Sequence, residues 1–187
     1  MNENHNPWQI IDEQEIYNNN WIKVTHSNVI NPSGNKGIYG KVHYKNVAVG
    51  IVPLDDEMNT YLVGQFRFAI DKYSWEIPEG GSPFNEHPLA AAQRELLEET
   101  GLKAAYWKAV TEMHLSNSVS DEFAVIYVAT GLSHHKASPE ETEELAIKKI
   151  PFDEAYQMVQ NGIITDSMSV AGILRTKLLL LEEKLFL

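Results

Sequence analysis

The sequence predicts an α+β fold with an antiparallel β-meander at its front, and three observations carry that expectation. Strand-like segments dominate the first half of the chain, one helix with clear start and stop signals follows them, and further helices gather at the end instead of alternating with strands. The length of 187 residues suits one main domain over 46–187 with a small extra β layer over 1–45, marginal alone, whose covering surface is either its own domain or a second subunit.

Trp21 to Val24 and Val29–Ile30 read as strand, Asn31-Pro32-Ser33-Gly34 as a turn, and Ile38 to Tyr44 as strand again. Val47 to Leu54 is a mostly apolar run of the kind a buried strand shows. After a turn at Asp55 to Asn59, Tyr61 to Phe66 forms the next strand, and Trp75 to Gly81 is a short strand running into a loop. Pro88 suits a first helical turn and Gly101 the position just past the last, so the spacing predicts a helix over Pro88 to Thr100. Leu89, Ala92, Leu96 and Thr100 share one face of it. Phe123 to Ala129 and Ala146 to Ile150 read as strands, with an acidic loop at Pro139 to Glu144 between them. Asp153 to Gln160 forms a helix stopped by Asn161-Gly162, and Asp166 caps a last helix reaching about Lys184.

Composition narrows the function classes. Hydrophobic residues make up 43% and charged residues 22%, the balance of a folded globular chain. The formal net charge of −11 argues against general nucleic-acid binding, which draws on Lys and Arg. It is compatible with a phosphate compound held through cations. With no cysteine there is no disulfide, thiolate metal site or thiol nucleophile. Met1 to Gln9 carries no apolar signal region, and Leu178 to Leu181 is too short to span a bilayer, so a cytoplasmic protein without a membrane partner is expected.

The chemistry concentrates on the predicted helix. Glu95, Glu98 and Glu99 stand at i, i+3 and i+4 and point from one side. Like charges at that spacing cost a few tenths of a kcal/mol per pair, which a hard cation such as Mg²⁺ or Mn²⁺ would offset. Acidic helix faces are common without a ligand, so the surroundings decide. Gly80, Glu86 and Arg94-Glu95-Leu96-Leu97-Glu98-Glu99-Thr100-Gly101-Leu102 fill every specified position of the pattern G-x5-E-x7-R-E-U-x-E-E-x-G-U, where U is aliphatic. At roughly one in fifteen per fixed identity, chance produces this on the order of 10⁻⁸ per starting point.

On that motif the sequence resembles the Nudix hydrolase family. The resemblance implies a mixed sheet sandwiched between helices, with the motif forming loop–helix–loop. It also implies metal ligands at Glu95, Glu99 and the backbone carbonyl of Glu79, and a supporting carboxylate at Glu98. Glu86 and Arg94 would form a bracing ion pair, and Gly80 and Gly101 tight turns. The implied reaction is Mg²⁺- or Mn²⁺-dependent cleavage of a pyrophosphate bond.

Phe66-Arg67-Phe68 followed by Trp75-Glu76-Ile77-Pro78-Glu79-Gly80-Gly81 resembles the ADP-ribose and nucleotide-sugar pyrophosphatase branch of the family. That resemblance implies that Arg67 touches a substrate phosphate, a salt bridge being the alternative, and that Glu76 contacts substrate or braces the site. Glu15 to Val24 resembles the N-terminal strand segment of the branch, which implies a homodimer and places Tyr17 and Trp21 where they could stack on a base or pack as core. Ser116 to Glu122 resembles its S-P-G-x-S-D-E segment, except that Asn117-Ser118 replaces Pro-Gly, which leaves room for GDP-mannose or a wider range of nucleotide sugars. The general base matches Glu141, with Glu144 and Glu140 as alternatives, and Asp166 to Leu174 matches a closing structural helix. The expected substrate is therefore a nucleoside-diphosphate sugar. A hydrolase of triphosphates or dinucleoside polyphosphates, and a ligand sensor without turnover, are the competing readings.

Overall fold

The computed structural model describes residues 5–136 and 145–185. They fall into two compact units, Met1–Asn46 with Ser116–Glu122, and Val47–Leu115 with Phe123–Leu187.

In the first unit β1 (Gln9–Asn18), β2 (Ile22–Ile30) and β3 (Lys36–Tyr44) form an antiparallel sheet in that order. Asn19 turns the first hairpin, its Oδ1 accepting from the N–H groups of Trp21 and Ile22 at 2.9 and 2.8 Å. Asn31 turns the second in the same way, accepting from Ser33 and Asn35. Ser116–Glu122 returns to the edge of β3. The Val42 N–H donates to Val119 O at 2.9 Å, and the Asp121 carboxylate takes the Tyr44 N–H at 3.0 Å and His43 Nδ1 at 2.7 Å. Two expectations need correction here. Trp21 lies in the turn before β2 and not in the strand, and the meander begins at Gln9. Every residue of β1 is exposed, so no apolar alternation announced it.

The second unit holds β4 (Asn46–Pro53), β5 (Asn59–Arg67), β6 (Lys72–Glu76), β7 (Glu79–Pro83), β8 (Leu102–His114), β9 (Phe123–His134) and β10 (Ala146–Pro151). Its helices are α1 (Pro88–Thr100), α2 (Phe152–Gln160) and α3 (Ser167–Leu181). The strands form two sheets, ordered β7-β4-β9-β8 and β10-β5-β6. The pairing of β4 with β9 is parallel and that of β8 with β9 antiparallel, so the larger sheet is mixed. Period-two alternation along β4 and β9 builds a core on each face. Val49, Ile51, Val125 and Tyr127 pack with Ala91, Ala92 and Leu96 of α1. Val52, Ile126 and Val128 pack with Phe152 and Met158 of α2 and Ile173 of α3. Helices thus cover both faces of this sheet. β8 was absent from the sequence reading. Its Lys103, Ala104, Ala105, Lys108 and Ala109 lack strand character, and pairing with β9 along its whole length overrides that preference. Among the described residues no helix is long and apolar enough to cross a membrane.

Candidate active site

Helix α1 begins and ends where local chemistry requires. The His87 side chain accepts from the Leu89 N–H, Pro88 stands in the first turn, and Gly101 closes the helix at φ 69° with its N–H on Leu97 O. The buried face carries Ala91, Ala92 and Leu96, and beside them a carboxylate, Glu99, only 2% exposed. Glu99 is oriented by the main chain of the β6–β7 connector, its Oε2 accepting from the Glu79 N–H at 3.0 Å. The Glu95 carboxyl lies against the Cα of Gly80, where any Cβ would overlap it. So Glu95 and Glu99, one helical turn apart, converge on the Glu79–Gly80 main chain.

Arg94 gathers the rest of the motif. Its guanidinium donates to Glu86 Oε2 at 3.1 Å and to the Gly81 carbonyl at 3.0 Å, tying the loop to the helix. It also donates to Glu95 Oε1 at 2.8 Å and Glu98 Oε2 at 3.0 Å. Burial works against its charge, but the bonds and fields of Glu86, Glu95 and Glu98 outweigh it and hold Arg94 above the usual guanidinium range.

A second arginine organises the connector. Arg67, at the end of β5, forks onto Glu76 of β6 with contacts of 3.0, 3.0 and 2.5 Å, and reaches Glu79 Oε1 at 2.5 Å. It is therefore held in a salt bridge to two carboxylates, and Glu76, 3% exposed at its side chain, braces it. Asp166 was expected to cap α3, and it does, accepting from the Ser169 N–H at 2.7 Å. Its carboxylate also lies within 4.8 Å of those of Glu76 and Glu79, a placement the structural reading of that segment missed. Ser169, fully buried, was missed as well. Its Oγ accepts from the Ile77 N–H at 2.9 Å. The motif pattern carries no signal for either contact, since both depend on how α3 meets the connector.

Burial pushes the Glu79 carboxyl well above the usual carboxylate range, and the fields of Asp166 and Glu76 add to it, outweighing the short contact to Arg67. Glu79 Oε2 is buried without a hydrogen-bond partner. An excess of carboxylate oxygens, one of them unsatisfied, is the donor chemistry a hard divalent cation takes, so the residues present fit such an ion. Tyr17 and Trp21 lie exposed in the first unit. Glu140, Glu141 and Glu144 lie outside the described residues.

The NUDIX domain model matches residues 44–166. The chain is similar to an ADP-ribose pyrophosphatase of Mycobacterium tuberculosis (strain ATCC 25618 / H37Rv), 35% identical over 135 residues, which make up 68% of this chain and 63% of that enzyme. It is also similar to a methanol dehydrogenase activator of Bacillus methanolicus, 29% identical over 165 residues, 87% of this chain and 89% of that one. The crystal structure of an ADP compounds hydrolase shares the fold, with a TM-score of 0.84 over 95% of this chain and 97% of the other at 19% identity. The chain belongs to the Nudix family. The motif from Gly80 to Gly101 lies within the matched residues and spans most of β7, the turn after it and helix α1.

Proposed function

We propose that the protein hydrolyses the pyrophosphate bond of nucleoside-diphosphate sugars such as ADP-ribose or GDP-mannose, releasing a nucleoside monophosphate and a sugar phosphate. The observation that carries this reading is the convergence of Glu95 and Glu99 on the Glu79–Gly80 main chain. Glu95, Glu99 and the Glu79 carbonyl would hold Mg²⁺ or Mn²⁺, with Glu98 in support. Bound there, the cation would supply positive charge to the pyrophosphate oxygens and would make the attacking water more acidic. Glu141 takes the proton from that water, with Glu144 and Glu140 the alternatives for the role. Arg67, its outer edge open to solvent, lends positive charge to the substrate phosphates. Tyr17 and Trp21 offer aromatic faces for the base, in a homodimer working in the cytoplasm.

A panel assay with Mg²⁺ tests the reading: ADP-ribose, GDP-mannose, UDP-glucose, dinucleoside polyphosphates and nucleoside triphosphates, scored for phosphate-monoester products. Turnover of the sugar compounds is the expected result. Turnover of triphosphates or dinucleoside polyphosphates alone would reassign the substrate, and silence across the panel would favour a ligand sensor. Glu141→Gln is expected to lower kcat by about 10²–10⁴; a several-fold effect would move the base to a neighbour.

A further inference from the structure

The stretch Ile77-Pro78-Glu79, which leads from β6 into the first residue of β7, is held at each residue by a different element. The Ile77 N–H donates to Ser169 Oγ of α3 at 2.9 Å, the Ile51 N–H of β4 donates to Pro78 O at 2.8 Å, and the Glu79 N–H donates to Glu99 Oε2 of α1 at 3.0 Å. The strand and the acidic helix are what any reading of the site would demand. The contact from α3 is not. Ser169 is fully buried in the first turn of α3, and Asp166 fixes it there by capping its N–H at 2.7 Å. Ile77 is itself fully buried, with its side chain close to Gly172 of the same helix. Without the Ser169 hydroxyl the Ile77 N–H would be a buried donor lacking its partner, and the connector would shift to satisfy it. That shift would pass directly to Glu79 and Gly80, two and three residues on.

We propose that Ser169, set in place by Asp166, is a positioning residue for the metal-binding main chain, so that the N-terminus of α3 sets the affinity for the divalent cation. The inference rests on the metal reading above. A buried hydroxyl three residues past a helix cap has a structural explanation too, so the test needs a readout that loss of stability alone does not move.

The experiment is a Mn²⁺ titration of the full chain, following free Mn²⁺ by electron paramagnetic resonance, with Tm measured for each variant. Ser169→Ala is expected to weaken Mn²⁺ binding by about tenfold, with kcat largely recovered at saturating Mn²⁺. Ser169→Cys keeps the volume with a poorer acceptor and is expected to weaken binding in the same direction, which protects the test should the alanine variant fail to fold. Thr176→Ala removes another fully buried hydroxyl of α3, one without a hydrogen-bond partner among the described residues. It is expected to lower Tm and leave Mn²⁺ affinity unchanged. Wild-type affinity in both Ser169 variants, or an equal loss in Thr176→Ala, would overturn the inference alone. A wild-type protein that binds no Mn²⁺ would overturn the metal reading and this inference with it.

Discussion

Arg67 and Arg94 do the same job in two different environments. Each spreads one guanidinium over several carboxylates, Arg67 over Glu76 and Glu79, Arg94 over Glu86, Glu95 and Glu98. The Arg94 clamp is partly open to water, with Glu86 28% and Glu98 32% exposed. The Arg67 clamp grips carboxylates that are 3% and 10% exposed. Their origins differ too. All of Arg94's side-chain partners lie within one short motif, whereas the Arg67 clamp joins three strands, β5, β6 and β7, and adds the field of Asp166 from the cap of a helix far along the chain. A buried charge whose partner is removed has nowhere to turn, while an exposed one turns to water. The two clamps should therefore fail in different ways.

The largest effect is expected where the clamps meet. Glu99 sits on the helix of Arg94, yet it binds the main chain beside Arg67's partner Glu79. Glu99→Gln keeps an oxygen for the Glu79 N–H but loses the charge a cation needs. Turnover of ADP-ribose with Mg²⁺ should fall by about 10³, while the circular dichroism spectrum stays that of the wild type. Near-normal activity would remove Glu99 from the metal site.

Next comes a direct comparison of the arginines. Arg67→Ala strands Glu76 and Glu79 without their cation and should cost about 3 kcal/mol in urea unfolding, near the low end for a buried pair because Arg67's outer edge meets solvent. Arg94→Ala frees more exposed carboxylates and should cost about 1 kcal/mol. Equal losses would show that burial does not separate the two clamps.

The contrast also marks what was legible in the sequence. The Arg94 clamp could be read because helix geometry and short spacing place its members together, and α1 runs from Pro88 to Thr100 as the cap residues indicate. The capping role of Asp166 was legible for the same reason. Its closeness to Glu76 and Glu79 was not, because that requires knowing where α3 meets the β6–β7 connector. The same holds for Ser169, whose partner Ile77 is remote in the chain. Strand β8, and β1 ahead of Glu15, escaped for a related cause. Their partners dictate their conformation, and neither carries the alternation that betrays a half-buried strand. For Arg67 the sequence left phosphate contact and salt bridge side by side; the structure shows the salt bridges to Glu76 and Glu79, with 38% of the arginine side chain still exposed.

The smallest expected effect sharpens the comparison most, because it separates geometry from energy. Glu86 meets Arg94 at 3.1 Å, from a side chain open enough for water to screen the pair. Glu86→Gln retains an amide oxygen for the same donor, and Arg94 keeps Gly81 O, Glu95 and Glu98. The loss of stability should be about 0.5 kcal/mol at low salt and should vanish near 1 M NaCl, where charges are screened over about 3 Å. The cost of Arg67→Ala should persist in the same salt, since ions do not reach Glu76. If the Glu86→Gln loss survived in salt, the Arg94 clamp would have to be treated as a buried network, and the distinction between the two arginines would rest on chain connectivity alone.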